Sequence, residues 1–307
     1  MKLSIHIYTI ALFTVLVMGC STSKQEDSSS KPFVVTTTGM LADAVKNIVG
    51  DSANVEALMG PGVDPHLFKA TQGDLTTLTN ADLVVYNGLH LEGKMGEVLE
   101  KLGKLKPVIA AGESIPEDRR RNSTQYANAY DPHIWFDVSL WTIAVQQLSI
   151  ELQKLHPKNA GYYKRNTDQF VKHLSELDKQ VRNAISEIPE EQRILITAHD
   201  AFEYFGAAYD IEVRGLQGIS TVSEFGLRDI TNLVDFIVER EIKAVFVETS
   251  VSKRAINAVV EGCKQKGFEV AIGGSLYSDA MGAPGTPEGT YVGMVLSNVN
   301  TIVKALK

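Results

Sequence analysis

The sequence predicts an α/β protein of two lobes, each a mostly parallel sheet flanked by helices. Beyond the N-terminal region, short apolar runs alternate with helical patterns, as expected for parallel strands joined by crossover helices. One long helical pattern, at 159–188, separates two such series; its apolar residues recur at steps of three and four, and Pro189 ends it. We therefore expect an N-terminal lobe at 33–156, a linking helix at 157–189 and a C-terminal lobe at 190–307.

Local signals support the elements of the first lobe. Apolar runs predict strands at 33–37, 55–59, 83–86 and 107–110, and helical patterns appear at 40–49 and 137–152. Gly50 follows the first helix in the position where a left-handed residue commonly ends one. Thr71 and Asp74 form a capping box, which predicts that another helix begins there.

The second lobe repeats this alternation. Strands are predicted at 193–197, 211–213, 244–247 and 269–272, and helices at 201–208, 228–239, 254–266 and 291–306. A linking helix of about 30 residues would span roughly 45 Å, which is longer than one small lobe. We therefore expect this helix to run along both lobes and to restrict their hinge motion.

The N-terminus resembles a bacterial lipoprotein signal. Lys2 and a short apolar run precede residues 17–20, which resemble a lipobox ending in Cys20. We expect residues 1–19 to be removed and Cys20 to be lipidated. The lipid would anchor the protein to a membrane, with the folded part outside the cytoplasm. The alternative is an ordinary secretory signal in which Cys20 is incidental. The polar, Ser-rich stretch at 20–32 predicts a flexible tether.

Charge and cysteine content exclude several classes of function. The net charge of −7 and the 22% charged residues give no electrostatic footprint for nucleic acid. After Cys20 the chain holds a single cysteine, Cys263, so the mature protein has neither an internal disulfide nor a thiolate metal cluster. Cys263 lies in a helical pattern and is expected to pack in the core.

Histidines in matching loops predict a metal site. Asp-Pro-His occurs twice, ending at His66 and His133, and proline stiffens the backbone that presents each imidazole. His199 and Asp279 also follow apolar runs. Because ligands bind at the carboxyl ends of parallel strands, two side chains from each lobe would meet in the cleft between the lobes. Three imidazoles and one carboxylate suit Zn²⁺ and also Mn²⁺.

Other readings of these residues stay open. Asp279 lies between glycine-rich turns, where aspartates often serve as turn formers. His90 alternates with two leucines and is expected to be structural or exposed. Glu248, at the end of a strand, could orient a ligating imidazole, and it could equally be an acid near a helix N-terminus.

Several motifs together resemble the cluster A-I metal-binding lipoproteins, the solute receptors of zinc and manganese ABC importers. The motifs are Val35-Thr36-Thr37-Thr38-Gly39-Met40, Gly62-Val63-Asp64-Pro65-His66, Tyr86-Asn87-Gly88-Leu89, Asp131-Pro132-His133-Ile134-Trp135, Thr197-Ala198-His199-Asp200-Ala201-Phe202 and Asp279-Ala280-Met281-Gly282. Their order and spacing match from residue 33 to the end of the chain. The resemblance implies two α/β lobes joined by a rigid helix, with one cation between them.

The resemblance also implies a function. The four ligands would be His66, His133, His199 and Asp279, with Zn²⁺ or Mn²⁺ as the bound substrate. A monomeric receptor would deliver this cation to a membrane permease driven by a cytoplasmic ATPase. Some manganese-selective relatives have a carboxylate in place of His199, and many zinc-dedicated relatives carry a His-rich loop that this chain lacks at 112–128. Both metals therefore stay possible.

Two other functions are compatible with parts of the sequence. A lipid-tethered adhesin or surface scaffold would need the anchor and no metal. A zinc hydrolase would use the same ligands with Glu248 as general base, but catalytic zinc usually has three protein ligands and no His-Glu-x-x-His pattern occurs here. We expect a receptor that is not an enzyme.

Overall fold

The computed structural model describes residues 31–123, 129–223 and 225–307. The predicted signal peptide, the lipidation site Cys20 and nearly all of the predicted tether lie outside these ranges. Within them, no helix combines the length and the apolar character that crossing a membrane requires.

The first half of the chain forms a four-stranded parallel sheet. Its strands are β1 (Phe33–Thr36), β2 (Asn54–Ala57), β3 (Leu83–Tyr86) and β4 (Val108–Ala110), in the spatial order β2-β1-β3-β4. The helices of this half are α1 (Gly39–Val49), α2 (Gln72–Asn80), α3 (Gly96–Gly103) and α4 (Val138–Leu155). Buried clusters lie on both faces of the sheet, as is usual for parallel strands. Because all four strands are parallel, their carboxyl ends lie at the same edge of the sheet.

The long helix α5 (Ala160–Ser186) lies alongside both halves of the fold. Its 27 residues correspond to about 40 Å. It packs against α1 and α4 of the first half and against helices of the second. Its inward stripe is buried and consists of Tyr163, Thr167, Phe170, Leu174, Leu177, Val181 and Ile185. The predicted stripe is confirmed.

The second half contains two parallel strand pairs that lie side by side. β5 (Ile194–His199) pairs with β6 (Glu212–Gln217), and β7 (Ala244–Glu248) pairs with β8 (Ala271–Leu276). β5 packs beside β7. The helices are α6 (Glu203–Tyr209), α7 (Leu227–Glu239), α8 (Arg254–Gln265) and α9 (Tyr291–Leu306). The predicted α/β class, with parallel sheets flanked by helices, is confirmed.

One of the hydrophobic clusters extends through both halves. It includes Leu41 of α1, Trp141 of α4, Leu174 of α5, Phe246 of β7 and Met294 of α9. The long helix therefore joins the two series of elements through packing as well as through the chain. The boundaries assigned to the two lobes from the sequence stay a prediction.

Some local differences from the predicted elements have clear physical causes. The helix α3, which the sequence patterns did not indicate, is short, has glycine at both ends and is held by burial of Leu99. β5 continues to His199 because that residue pairs with Gln217 of β6. The predicted capping box is present: the Thr71 hydroxyl accepts from the amide of Asp74, and the Asp74 carboxylate accepts from the amide of Thr71.

Candidate metal centre

The four residues proposed as ligands lie together and are buried. One potential ligand atom of each of His66, His133, His199 and Asp279 lies within 4.8 Å of the corresponding atoms of the other three. Their exposed fractions are 4%, 0%, 0% and 2%. His66 follows β2, His133 follows β4, His199 ends β5 and Asp279 follows β8. His199 thus lies at the carboxyl end of its strand and Asp279 close to one, while His66 and His133 lie in the longer segments that follow β2 and β4; each half of the chain contributes two of the four residues.

The spacing of the ligand atoms fits one small cation. The Nε2 atoms of His66 and His133 lie 3.4 Å apart. His133 Nε2 lies 3.4 Å from Asp279 Oδ1, and His199 Nε2 lies 3.3 Å from Asp279 Oδ2. Four tetrahedral ligands bonded to Zn²⁺ at about 2.0–2.2 Å would be separated by about 3.3–3.6 Å.

Polar atoms without a hydrogen bond mark the same point. Among the described residues, both carboxylate oxygens of Asp279 and the Nε2 atom of His199 are buried and have no hydrogen-bond partner. Buried polar groups are nearly always satisfied, because leaving one unpaired costs about 1–3 kcal/mol, and more for a charged group. A cation at the centre of the cluster would satisfy these atoms together.

The aspartate of each Asp-Pro-His motif holds the histidine that follows it. Asp131 Oδ1 accepts hydrogen bonds from the backbone amide of His133 at 2.9 Å and from its Nδ1 at 2.7 Å. Asp64 Oδ1 accepts from the amide of His66 at 2.8 Å. The rigidity that the proline predicts therefore has a second source, the aspartate, which the sequence patterns above did not indicate. The signal was present, since aspartate commonly accepts a hydrogen bond from the amide two residues on.

Glu248 contacts the ligand candidate that it was expected to orient. Its Oε2 lies 2.5 Å from His199 Nδ1, and its Oε1 accepts from the amide of His199 at 2.8 Å. Glu248 is the last residue of β7, and helix α8 begins only at Arg254. Glu248 is therefore not an acid in the first turn of that helix. These contacts leave the Nε2 atom of His199 directed into the cluster.

Trp135 links the segments that hold His133 and Asp279. Its indole Nε1 donates to the carbonyl of Ser278 at 3.1 Å. The Tyr291 hydroxyl in turn donates to the carbonyl of Trp135 at 2.7 Å. Ser278 directly precedes Asp279. Buried hydrogen bonds therefore fix the position of the His133 segment relative to the Asp279 segment.

A buried carboxylate that the sequence analysis did not identify supports the first-half ligands. Glu92, which is 1% exposed, accepts hydrogen bonds from the Thr37 hydroxyl and from the amides of Asn87 and Gly88 at 2.7, 2.6 and 3.1 Å. The Asn87 side chain donates to the carbonyl of Pro132, beside His133. On the other side, Gly93 packs so closely on His66 that a Cβ would lie 2.6 Å from the His66 carbonyl oxygen.

Carboxylates around the cluster supply negative charge to two of the three imidazoles. Burial lowers the pKa of the His133 ring, but Asp131 and Asp279 outweigh it and raise that pKa to about 9. Burial likewise opposes the effect of Glu248 and Asp279, which raise the pKa of His199 well above its usual value. For His66, burial outweighs the effect of Asp279 and lowers the pKa of the ring to about 3. The centre is therefore electrostatically suited to positive charge.

His90 is not part of the cluster. It is exposed and has a left-handed backbone with φ of 67°. It lines a cavity of about 350 Å³ together with His66, Leu89, Pro132, Ile219 and Val222. Among the four clustered side chains, His66 is the one on this cavity wall, so the cavity leads from the surface to the cluster.

Comparison with known proteins agrees with this architecture. The chain is 51% identical over 295 residues to the manganese-binding lipoprotein MntA of Bacillus subtilis (strain 168), covering 96% of each protein. It is 48% identical over 284 residues to the zinc-binding protein TroA of Treponema pallidum (strain Nichols), covering 92% of each. The solved structure of periplasmic zinc-binding TroA from that organism matches with a TM-score of 0.88 and 48% identity, covering 90% of this chain and 99% of that one.

The fold, the buried cluster and these matches define a substrate-binding protein of the metal ABC transporter class. Residues 34–305 match the family of the periplasmic zinc-uptake complex component A. The chain belongs to this family, ZnuA. The resemblance predicted from the sequence motifs is confirmed, and the family is one of solute-binding receptors.

Proposed function

We propose that this protein captures Zn²⁺ or Mn²⁺ with His66, His133, His199 and Asp279 and delivers the cation to a membrane permease. The observation that carries the proposal is the buried cluster itself. Its ligand atoms are spaced as a single cation requires, and both oxygens of its carboxylate lack hydrogen-bond partners among the described residues. Nanomolar affinity, about 12 kcal/mol, is attainable for a preformed site of this kind.

The ligand set supports both metals. Three imidazole nitrogens and one carboxylate satisfy tetrahedral Zn²⁺. Asp279 directs Oδ1 towards His133 and Oδ2 towards His199, so the carboxylate can bind with one oxygen or with both. Binding through both would give five ligand atoms, which suits the higher coordination numbers of Mn²⁺. The names of the relatives divide in the same way, one manganese-binding and one zinc-binding.

The location and partners of the receptor follow from the class and the N-terminus. Several relatives are named as lipoproteins of metal ABC transporters. We propose that Cys20 is lipidated and that the mature protein works as a monomer on the outer side of the cytoplasmic membrane. Its partners would be the permease and ATPase of one importer.

The geometry favours a receptor over a zinc hydrolase. The hydrolase reading needs Glu248 as a general base within reach of a metal-bound water. Both oxygens of Glu248 are engaged by His199, one by its ring and one by its amide. The cluster also offers four protein ligands, which is the closed arrangement of a binding site rather than the open one of a catalytic site. We propose that the protein is not an enzyme.

Metal titration tests the proposed function. Metal-free mature protein should bind one equivalent of Zn²⁺ in calorimetry, and Mn²⁺ should compete for the same equivalent. Elemental analysis of protein purified from its own cells should find one equivalent of one of these metals. Absence of saturable binding, or two metals bound at once without competition, would overturn the proposal.

A change at Glu248 tests its role as an orienting residue. Glu248→Gln removes the negative charge beside His199 Nδ1 but keeps the size of the side chain. We expect Zn²⁺ affinity to fall by about 10–100-fold, the usual effect of losing a carboxylate behind a ligating histidine. Glu239→Gln, an exposed glutamate at the end of α7, is the control and should bind as the unchanged protein does. Equal affinities of the two variants would remove Glu248 from the site.

A further inference from the structure

The loop after β6 is attached firmly to the strand that precedes it. Gln217, the last residue of β6, donates from Nε2 to the carbonyls of Thr221 at 2.9 Å and Ser223 at 2.6 Å. Gln217 is also the strand partner of His199. Residues 218–223, which we call the β6 loop, are therefore held beside one ligand of the cluster.

A hydrogen bond joins the β6 loop to the first half of the chain. Thr221 Oγ1 donates to Asp64 Oδ2 at 2.6 Å, between residues 157 positions apart in sequence. The other oxygen of this carboxylate, Oδ1, accepts from the amide of His66. Asp64 thus holds His66 with one oxygen and the β6 loop with the other. Thr221 is partly buried, so water competes incompletely for this bond.

The β6 loop also forms one wall of the cavity that leads to the cluster. Ile219, Ser220 and Val222 lie on this wall, and Leu89 and Pro132 lie on the first-half side. His66 is the clustered residue that the cavity reaches. A displacement of the β6 loop would widen this approach without moving Asp64 Oδ1 from the amide of His66.

We propose that the hydrogen bond between Thr221 and Asp64 is a latch that holds the β6 loop across the approach to the cation and sets the rate of cation release. The inference rests on the proposed function and adds to it a positioning residue that contacts no metal. With the bond formed, the loop and the His66 segment are held together across the cavity. With the bond broken, the loop keeps its attachment to Gln217 on its own side of the cavity but loses this tie to the His66 segment, while the four ligand candidates keep their own supports.

The release rate of Zn²⁺ tests the latch. Loaded mature protein is mixed rapidly with an excess of a chromogenic chelator, and the rate of metal transfer is followed at chelator concentrations where dissociation is limiting. Thr221→Val keeps the shape of the side chain and removes the hydroxyl. We expect release about tenfold faster, which corresponds to about 1.4 kcal/mol. Thr221→Ser keeps the hydroxyl and should release near the original rate.

Two further measurements separate a latch from a structural role. Thr231→Val, on the exposed surface of helix α7, removes a hydroxyl that donates to the carbonyl of Leu227 within that helix, and it should leave the rate unchanged. The visible absorption spectrum of the Co²⁺-loaded protein reports the ligands and their geometry. It should be the same for Thr221→Val as for the unchanged protein, because the latch contacts no ligand ring.

Each outcome decides the inference. Release from Thr221→Val at the original rate overturns it, and so does release from Thr221→Ser as fast as from Thr221→Val. An altered Co²⁺ spectrum in Thr221→Val would show that Thr221 shapes the coordination, which also overturns the latch. If the unchanged protein binds no Zn²⁺, the proposed function itself fails; if it binds and only the Thr221 results disagree, the latch alone fails.

Discussion

Replacing Asp279 with alanine should lower the affinity for Zn²⁺ by more than about 100-fold. Loss of a carboxylate behind a ligand usually costs about 10–100-fold, and loss of a direct ligand exceeds this. Asp279 is also the one acidic member of the cluster. Its removal would leave a buried divalent cation among three neutral imidazoles, with no negative charge bonded to it.

Calorimetry and thermal unfolding together check the Asp279 prediction. Zn²⁺ should raise the melting temperature of the unchanged protein. A ligand that binds only the folded state increases the free energy of unfolding by RT ln(1 + [L]/Kd). The same Zn²⁺ concentration should shift Asp279→Ala much less. Asp51→Ala, at an exposed carboxylate, serves as the control. Unchanged affinity in Asp279→Ala would remove this residue from the ligand set.

Replacing Glu92 with glutamine should weaken both the fold and the metal site, although Glu92 is not a ligand candidate. Several groups donate hydrogen bonds to its carboxylate, among them the Thr37 hydroxyl and the amides of Asn87 and Gly88. A glutamine would present an NH₂ group to one of these donors and leave it unsatisfied. We expect the free energy of unfolding of the metal-free protein to fall by about 1–3 kcal/mol, the cost of leaving one buried donor unsatisfied.

The effect of Glu92 on metal binding follows from the two segments that it supports. Asn87 positions the carbonyl before His133, and Gly93 abuts the carbonyl of His66. Zn²⁺ affinity of Glu92→Gln should therefore fall by tenfold or more, measured at a temperature where the variant is folded. Glu97→Gln, on the exposed face of the neighbouring helix α3, should change neither quantity beyond about 0.5 kcal/mol. A stable Glu92→Gln protein with full affinity would contradict this account.

The sequence predicted the cluster because its ligand candidates lie in simple local patterns. Asp-Pro-His shows both a stiff backbone and an imidazole, and each copy lies in a loop that follows an apolar run. Parallel strands bring their carboxyl ends to one edge of the sheet. Residues that follow different strands along the chain can therefore be expected to lie near one another in space. His199 and Asp279 needed the family resemblance as well, because neither lies in a motif as distinctive.

The supporting residues were harder to predict because their partners are distant in sequence. Glu92 lies 55 residues from Thr37, and Thr221 lies 157 residues from Asp64. No periodicity or spacing within one segment indicates such pairs. Glu248 was identified as a possible orienting residue from its position at a strand end, while its double contact with His199 depends on β5 lying beside β7. Side-chain pairing between elements is decided by tertiary packing.

The short helix α3 shows the same limit at the level of secondary structure. Two terminal glycines weaken its intrinsic preference for a helix, and burial of Leu99 against the sheet supplies the stability that the local sequence lacks. Helices α5 and α9, by contrast, carry long regular stripes and were predicted to within a few residues.

The hydrophobic cluster beside α5 that spans both halves also determines how cooperatively the protein unfolds. Because side chains of both halves pack in one cluster, neither half can lose its structure without exposing apolar surface of the other. Heating is thus expected to produce one cooperative endotherm instead of two, with equal calorimetric and van't Hoff enthalpies. A cation bound at one end of the strands would then protect the packed elements of both halves from proteolysis, including elements that lie far from it.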